Sequence, residues 1–113
     1  MKNITNHYPT NPTMTKNEKM AYEYGRWLSV VDSMQKVSGR ENFYLPHLIP
    51  KMQYKPMFFF TEIMKRTRFD RKHEQMLFEI DLMEMPEKFT VTEWRSFYLG
   101  FFAQKGIIHR IHD

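Results

Sequence analysis

The chain has 113 residues, 42% hydrophobic and 16% aromatic, with ten Met, ten Phe and no Cys. That is enough apolar matter for one core and too much for a wholly disordered chain, while the lack of Cys excludes disulfides, thiolate zinc sites and a cysteine nucleophile. The formal charge of +4 and the pI of about 9.4 are basic, short of a histone-like tail. No run of about 18 apolar residues exists to cross a bilayer, and the N-terminus lacks the apolar stretch of a signal peptide. The expectation is a soluble, cytoplasmic protein without membrane contact.

Residues 1–14 are polar, carry Pro9 and Pro12, and read as a flexible leader to a single helical-bundle domain over 15–113. Thr15-Lys16-Asn17-Glu18 has the form of a capping box, with Thr15 as N-cap and Glu18 reaching back. Behind it Met20, Tyr24, Trp27, Leu28, Val31, Met34 and Val37 recur every three or four residues, which predicts a helix with one apolar face, ended by Ser38-Gly39. Pro46, Pro50 and Pro56 forbid a long helix over 40–56, although Pro46 suits the first turn of a short one.

Pro56 likewise suits the start of a helix from Met57 to about Arg68, with Phe59, Phe60, Ile63 and Met64 inward. Asp70 is placed to cap a further helix through Glu84, with Met76, Leu77, Ile80 and Met83 as its stripe and Pro86 as its stop. A second capping box, Thr90-Val91-Thr92-Glu93, launches the last helix, whose expected face is Trp94, Phe97, Tyr98 and Phe101 and whose expected left-handed stop is Gly106. No segment alternates at period two. The reading is an all-α fold, a compact bundle of four to five helices.

Two glycines interrupt strong helical patterns: Gly25 among Tyr22, Tyr24 and Trp27, and Gly100 among Phe97, Tyr98 and Phe101. A glycine costs a helix about 1 kcal/mol relative to alanine, so each calls for a reason. Aromatic neighbours on both suggest that the first and last helices approach backbone to backbone where side chains are missing. Trp27 and Trp94 are expected in the core.

Charge is unevenly spread. Residues 51–72 hold seven Lys or Arg against two acids, and residues 73–87 hold five acids with no Lys or Arg. Solvated helix faces are the plain reading; a patch for phosphate beside a patch for a basic protein surface is the functional one. Five cations fall within Lys65-Arg66-Thr67-Arg68-Phe69-Asp70-Arg71-Lys72. Cations at a helix C-terminus are favoured by the helix dipole, which accounts for part of this density but not all of it. With Phe69 among them, Lys65, Arg66, Arg68, Arg71 and Lys72 suit sequence-independent contact with a nucleic-acid backbone. Arg26 and Lys105 are second choices, and Arg26 has a structural alternative in pairing with Glu23 or a helix end.

No catalytic constellation, phosphate loop or dinucleotide fingerprint is present, so no enzyme and no cofactor are expected. His109 and His112 stand three apart with only Asp113 nearby, which reads as a polar tail and not a metal site.

The order of motifs adds a resemblance. Ala21-Tyr22-x-x-Gly25-Arg26-x-x-Ser29-Val30-x-Asp32-x-Met34-Gln35 resembles the Ala-Tyr-x-x-Gly-Arg-x-x-Ala-Val-x-Glu-x-x-Gln helix in the C-terminal part of the large subunit of type I-C CRISPR Cascade complexes. Pro56-Met57-Phe58-Phe59 is similar to its Thr-Pro-x-x-Phe helix start, and Phe78-Glu79-Ile80-Asp81-Leu82 with Pro86 to its Gly-Glu-Ile-Met-x-x-Leu-Pro segment. Thr92-Glu93 and Leu99-Gly100-Phe101-Phe102-Ala103-Gln104-Lys105 resemble its Leu-Gly-Tyr-Tyr-His-Gln-Arg closing helix. The likeness covers about residues 17–110, with the first and last motifs the most specific. Two hydroxyls and an imidazole of the closing motif are replaced by Phe101, Phe102 and Ala103, and Phe43 to Tyr54 stands where the family has Asn-x-Thr-Ile and Arg-Tyr-Phe segments.

In that family the C-terminal bundle also exists as a separate small subunit made by internal translation, and a 113-residue chain with its own Met1 fits such a subunit. The resemblance implies a non-catalytic helical protein lining the CRISPR-RNA complex, stabilising the R-loop and the displaced strand. Its partners would be Cascade protein subunits and single-stranded DNA or an RNA–DNA hybrid. The alternative is a protein-interaction module, such as a virus-encoded decoy that binds a Cascade component and blocks it.

Overall fold

Reciprocal side-chain to backbone hydrogen bonds open the two longest helices of the computed structural model, which describes residues 14–38, 45–67, 71–80, 82 and 84–112. The Thr15 N–H donates to Glu18 Oε1 at 2.8 Å and the Glu18 N–H to Thr15 Oγ1 at 3.1 Å. Thr90 and Glu93 repeat the arrangement at 2.9 and 3.1 Å. Both capping boxes are those read from the sequence, and they start α1 (Lys16–Ser38) and α5 (Val91–His112). Between them lie α2 (Leu45–Met52), α3 (Pro56–Arg66) and α4 (Arg71–Leu77). Five helices and, among the described residues, no strand make the all-α bundle that was expected.

α1 is buried on nearly every side. Besides Met20, Tyr24, Trp27, Leu28, Val31 and Met34 of the expected stripe, Ala21, Tyr22, Arg26, Ser29 and Val30 are all at most 4% exposed. The reason is α5, which packs along it more extensively than any other pair of helices. Ala21, Gly25 and Ser29 form a row of small residues four apart, which lets the second backbone come close. A Cβ built on Gly25 would overlap the Phe97 carbonyl oxygen and stand 2.8 Å from the Phe101 nitrogen. A Cβ on Gly100 would overlap the Tyr22 carbonyl oxygen and stand 2.8 Å from its carbon. The two glycines thus admit each other's helix, as the sequence suggested.

The remaining elements cover the rest of α1. Tyr24 is the hub of an aromatic cluster, with ring centroids 5.5 Å from Trp27, 5.8 Å from Phe97 and 6.1 Å from Trp94. Its hydroxyl donates to the Pro56 carbonyl at 2.7 Å, which fixes the start of α3, and Phe60 lies 4.6 Å from Trp27. Gln53 anchors the approach to α5: its carbonyl accepts the Phe89 N–H at 2.8 Å and its side-chain amide donates to the Phe89 carbonyl at 3.1 Å. α4 closes another side, where the Ser33 hydroxyl and His73 Nε2 share a hydrogen bond of 3.2 Å.

Four expectations need correction. α4 ends at Leu77, not near Glu84, because Glu79 and Ile80 donate to the carbonyls of Met76 and Leu77 in a tight turn. The apolar residues beyond it need no longer helix: Ile80, Leu82 and Met85 still pack on the core from an irregular chain. Gly106 is not a stop, since α5 continues through it to His112, and nothing lies within 4 Å of where its Cβ would be. Tyr98 is 41% exposed, because the face of α5 turned to α1 is centred on Gly100, with Phe97, Gln104 and Ile108 buried on it. α3 stops slightly short, at Arg66, with Thr67 in extended conformation and its hydroxyl donating to the Ile63 carbonyl at 2.7 Å. Residues 1–13 of the expected leader (1–14), with Gly39, Arg68, Phe69, Asp70 and Met83, lie outside the described residues.

Candidate nucleic-acid interface

The cation cluster read from the sequence straddles the end of α3 and the start of α4. Lys65 and Arg66 occupy the last turn of α3, where the dipole favours positive charge, and both are exposed. Each is near Glu62, one turn back: Lys65 Nζ lies 3.3 Å from Oε2 and Arg66 Nη2 lies 3.6 Å from Oε1. Such exposed pairs hold at most about 1 kcal/mol and release a side chain easily to a phosphate.

Arg71 and Lys72 differ. They are exposed in the first turn of α4, the end of a helix where the dipole disfavours cations. Among the described residues neither has an acidic partner within ion-pair distance. Among the described residues no ion pair accounts for two positive charges there. Together the described members of the cluster set four cations against Glu62 on the surface.

Arg26 belongs to the interior. It is 4% exposed, and its Nη1 donates to both Glu23 carboxylate oxygens at 2.8 and 2.9 Å. Its Nε donates to Gln104 Oε1 at 3.2 Å, and the Gln104 amide lies 3.8 Å from Met76 sulfur. The alternative reading, pairing with Glu23, is therefore the one the structure holds, and a polar relay crosses from α1 through α5 to α4. A guanidinium sealed in this way is a poor phosphate contact. Gln104 is the partner that sequence reasoning missed. Its place one turn beyond Gly100 on the same face was the available signal.

Lys105 is half-buried, its Nζ 5.7 Å from the Phe101 ring centroid in a cation–π contact. It stands on α5, in a different element from the α3–α4 cations. His109 is exposed on the last turns of the same helix. Among the described residues no three His, Asp or Glu side chains converge as a metal site would need. No described helix is long and apolar enough to cross a membrane.

A second kind of surface accompanies these charges. Val91, Tyr98, Leu99 and Phe102 expose between 41% and 66% of their surface along the outside of α5. Phe78 is 82% exposed just after α4, between Glu74 and Glu79. Comparison with known proteins finds no matching family model, no matching curated protein and no matching solved structure.

Proposed function

We propose that this chain is a non-catalytic, small-subunit-like protein of a type I-C CRISPR-RNA surveillance complex. In that role it steadies the displaced DNA strand or the RNA–DNA hybrid of an R-loop by its phosphate backbone. Lys65, Arg66, Arg71 and Lys72, with Arg68 in the same stretch of sequence, are the contacts. The observation that carries the reading is the exposed pair Arg71 and Lys72 in the first turn of α4, charge that the local dipole disfavours and no described ion pair accounts for. The resemblance supports it too, because its two most specific motifs are the helices that pack through Gly25 and Gly100. Backbone contact by clustered cations needs no base readout, as suits a subunit that must accept any target sequence.

The exposed apolar residues of α5 favour a second reading, in which the chain docks on a Cascade protein as a decoy and touches no nucleic acid. One experiment separates the two. A type I-C complex assembled without its small subunit is given this protein, and R-loop formation on a matched target is measured. A subunit restores R-loops; a decoy fails to restore them and inhibits the complete complex.

A further inference from the structure

Two aromatic rings lie on the surface around the α2–α3 connection, Tyr54 between Lys51 and Lys55 and Phe58 in the first turn of α3. Tyr54 is 59% exposed and Phe58 is 57% exposed, whereas Phe59 and Phe60 beside them pack against the core. The turn that carries Tyr54 is well defined: the N–H groups of Tyr54 and Lys55 donate to the Lys51 carbonyl at 3.1 and 3.3 Å. Phe59 N–H then donates to the Lys55 carbonyl at 3.2 Å, leading into α3. Phe58 is braced by an edge contact with Phe59, ring centroids 5.1 Å apart.

Lys51 and Lys55 are exposed on either side of Tyr54. On α3, Phe58, Glu62 and Lys65 stand four and then three residues apart, so they share one face that leads from the aromatic rings to the cations at the helix end. From Phe58 to Arg66 that is a rise of about 12 Å. Among the described residues from Lys51 to Arg66 the one acid is Glu62, which is shared between Lys65 and Arg66. Aromatic rings spaced by lysines, with the one carboxylate neutralised, suit a strand that offers phosphates and unpaired bases together. A protein partner would be better matched by the exposed apolar residues Tyr98, Leu99 and Phe102 of α5.

We infer that Tyr54 and Phe58 form a stacking platform for the unpaired bases of a single nucleic-acid strand, framed by Lys51, Lys55 and Lys65. This rests on the proposed nucleic-acid function and adds to it a contact made to bases instead of phosphates. It implies selectivity for single strands over duplex, since only unpaired bases present their faces.

The test is fluorescence anisotropy at low salt with a labelled 20-nucleotide oligo-dT and with an abasic strand of equal length. Wild-type protein binds oligo-dT at least about fivefold more tightly than the abasic strand. Tyr54→Ala with Phe58→Ala loses about tenfold or more on oligo-dT, changes little on the abasic strand, and keeps the same slope of log affinity against log salt because no cation is removed. Tyr54→Phe with Phe58→Tyr retains binding. An alanine variant with a wild-type thermal melt that binds oligo-dT as the wild type does overturns the platform alone and leaves backbone binding standing. Loss of a Cascade protein contact instead of DNA affinity also overturns it. Wild-type protein that binds neither strand overturns both the platform and the nucleic-acid reading beneath it.

Discussion

Gly25 lies against the backbone carbonyl of Phe97 with no room for a single carbon between them, and Gly100 stands in the same relation to Tyr22. The obstacle in each case is main chain, which cannot rotate away as a side chain can. Gly25→Ala or Gly100→Ala must therefore push α1 and α5 apart and loosen the aromatic cluster around Tyr24. Each is expected to lose at least about 3 kcal/mol in chemical denaturation. Gly106→Ala is the internal control: it sits inside α5 with open space around it and should gain about 0.5–1 kcal/mol.

Arg26 is buried and donates to the half-buried Glu23 carboxylate and to the buried Gln104 side chain, so its removal takes a charged donor from both. Arg26→Ala is expected to cost about 1.5–3 kcal/mol, the range for losing hydrogen bonds made by a charged group. Any loss of nucleic-acid affinity in this variant should track its loss of folded protein in a parallel thermal melt. A fully folded Arg26→Ala with selectively weakened DNA binding would return this residue to the interface.

Tyr24 couples stability to alkaline pH. Burial pushes its phenol well above the ordinary value of 10.0. The folded protein then keeps a proton that the unfolded chain releases above that value, so unfolding is favoured as pH rises. The contribution is fully present below pH 10 and falls by up to about 1.4 kcal/mol per pH unit above it. Tyr24→Phe removes this slope, and it costs about 1–3 kcal/mol at neutral pH because the Pro56 carbonyl loses its donor. Denaturation of both proteins from pH 8 to 11 measures the difference.

Much of the scaffold was legible because its signals are local. A threonine three residues before a glutamate marks a capping box wherever it folds, and both such pairs start the helices they were expected to start. The glycine pairing was legible for a related reason: two costly residues set in aromatic surroundings point to one shared cause. What escaped was decided by distant packing. The stripe that begins at Met76 reads as one long helix, yet the backbone turns after Leu77 and the core takes Ile80 as well from an irregular chain. Gly106 has the residue type of a stop, but nothing forces the chain to leave the helix there. The pairing of Arg26 with Glu23 was open in the sequence, but its bond to Gln104, 78 residues away, was not. At the α3–α4 junction the sequence showed the cluster of charge, and only the helix boundaries show which cations stand against the local dipole.

The claim that this junction grips a phosphate backbone is tested most directly by the salt dependence of single-stranded DNA binding. Arg66→Gln, Arg71→Gln and Lys72→Gln are combined, and the slope of log affinity against log salt is compared with that of wild-type protein. Three lost phosphate contacts should reduce the magnitude of the slope by about 2 and weaken binding at every salt concentration. A folded triple variant with the wild-type slope and affinity would contradict the account.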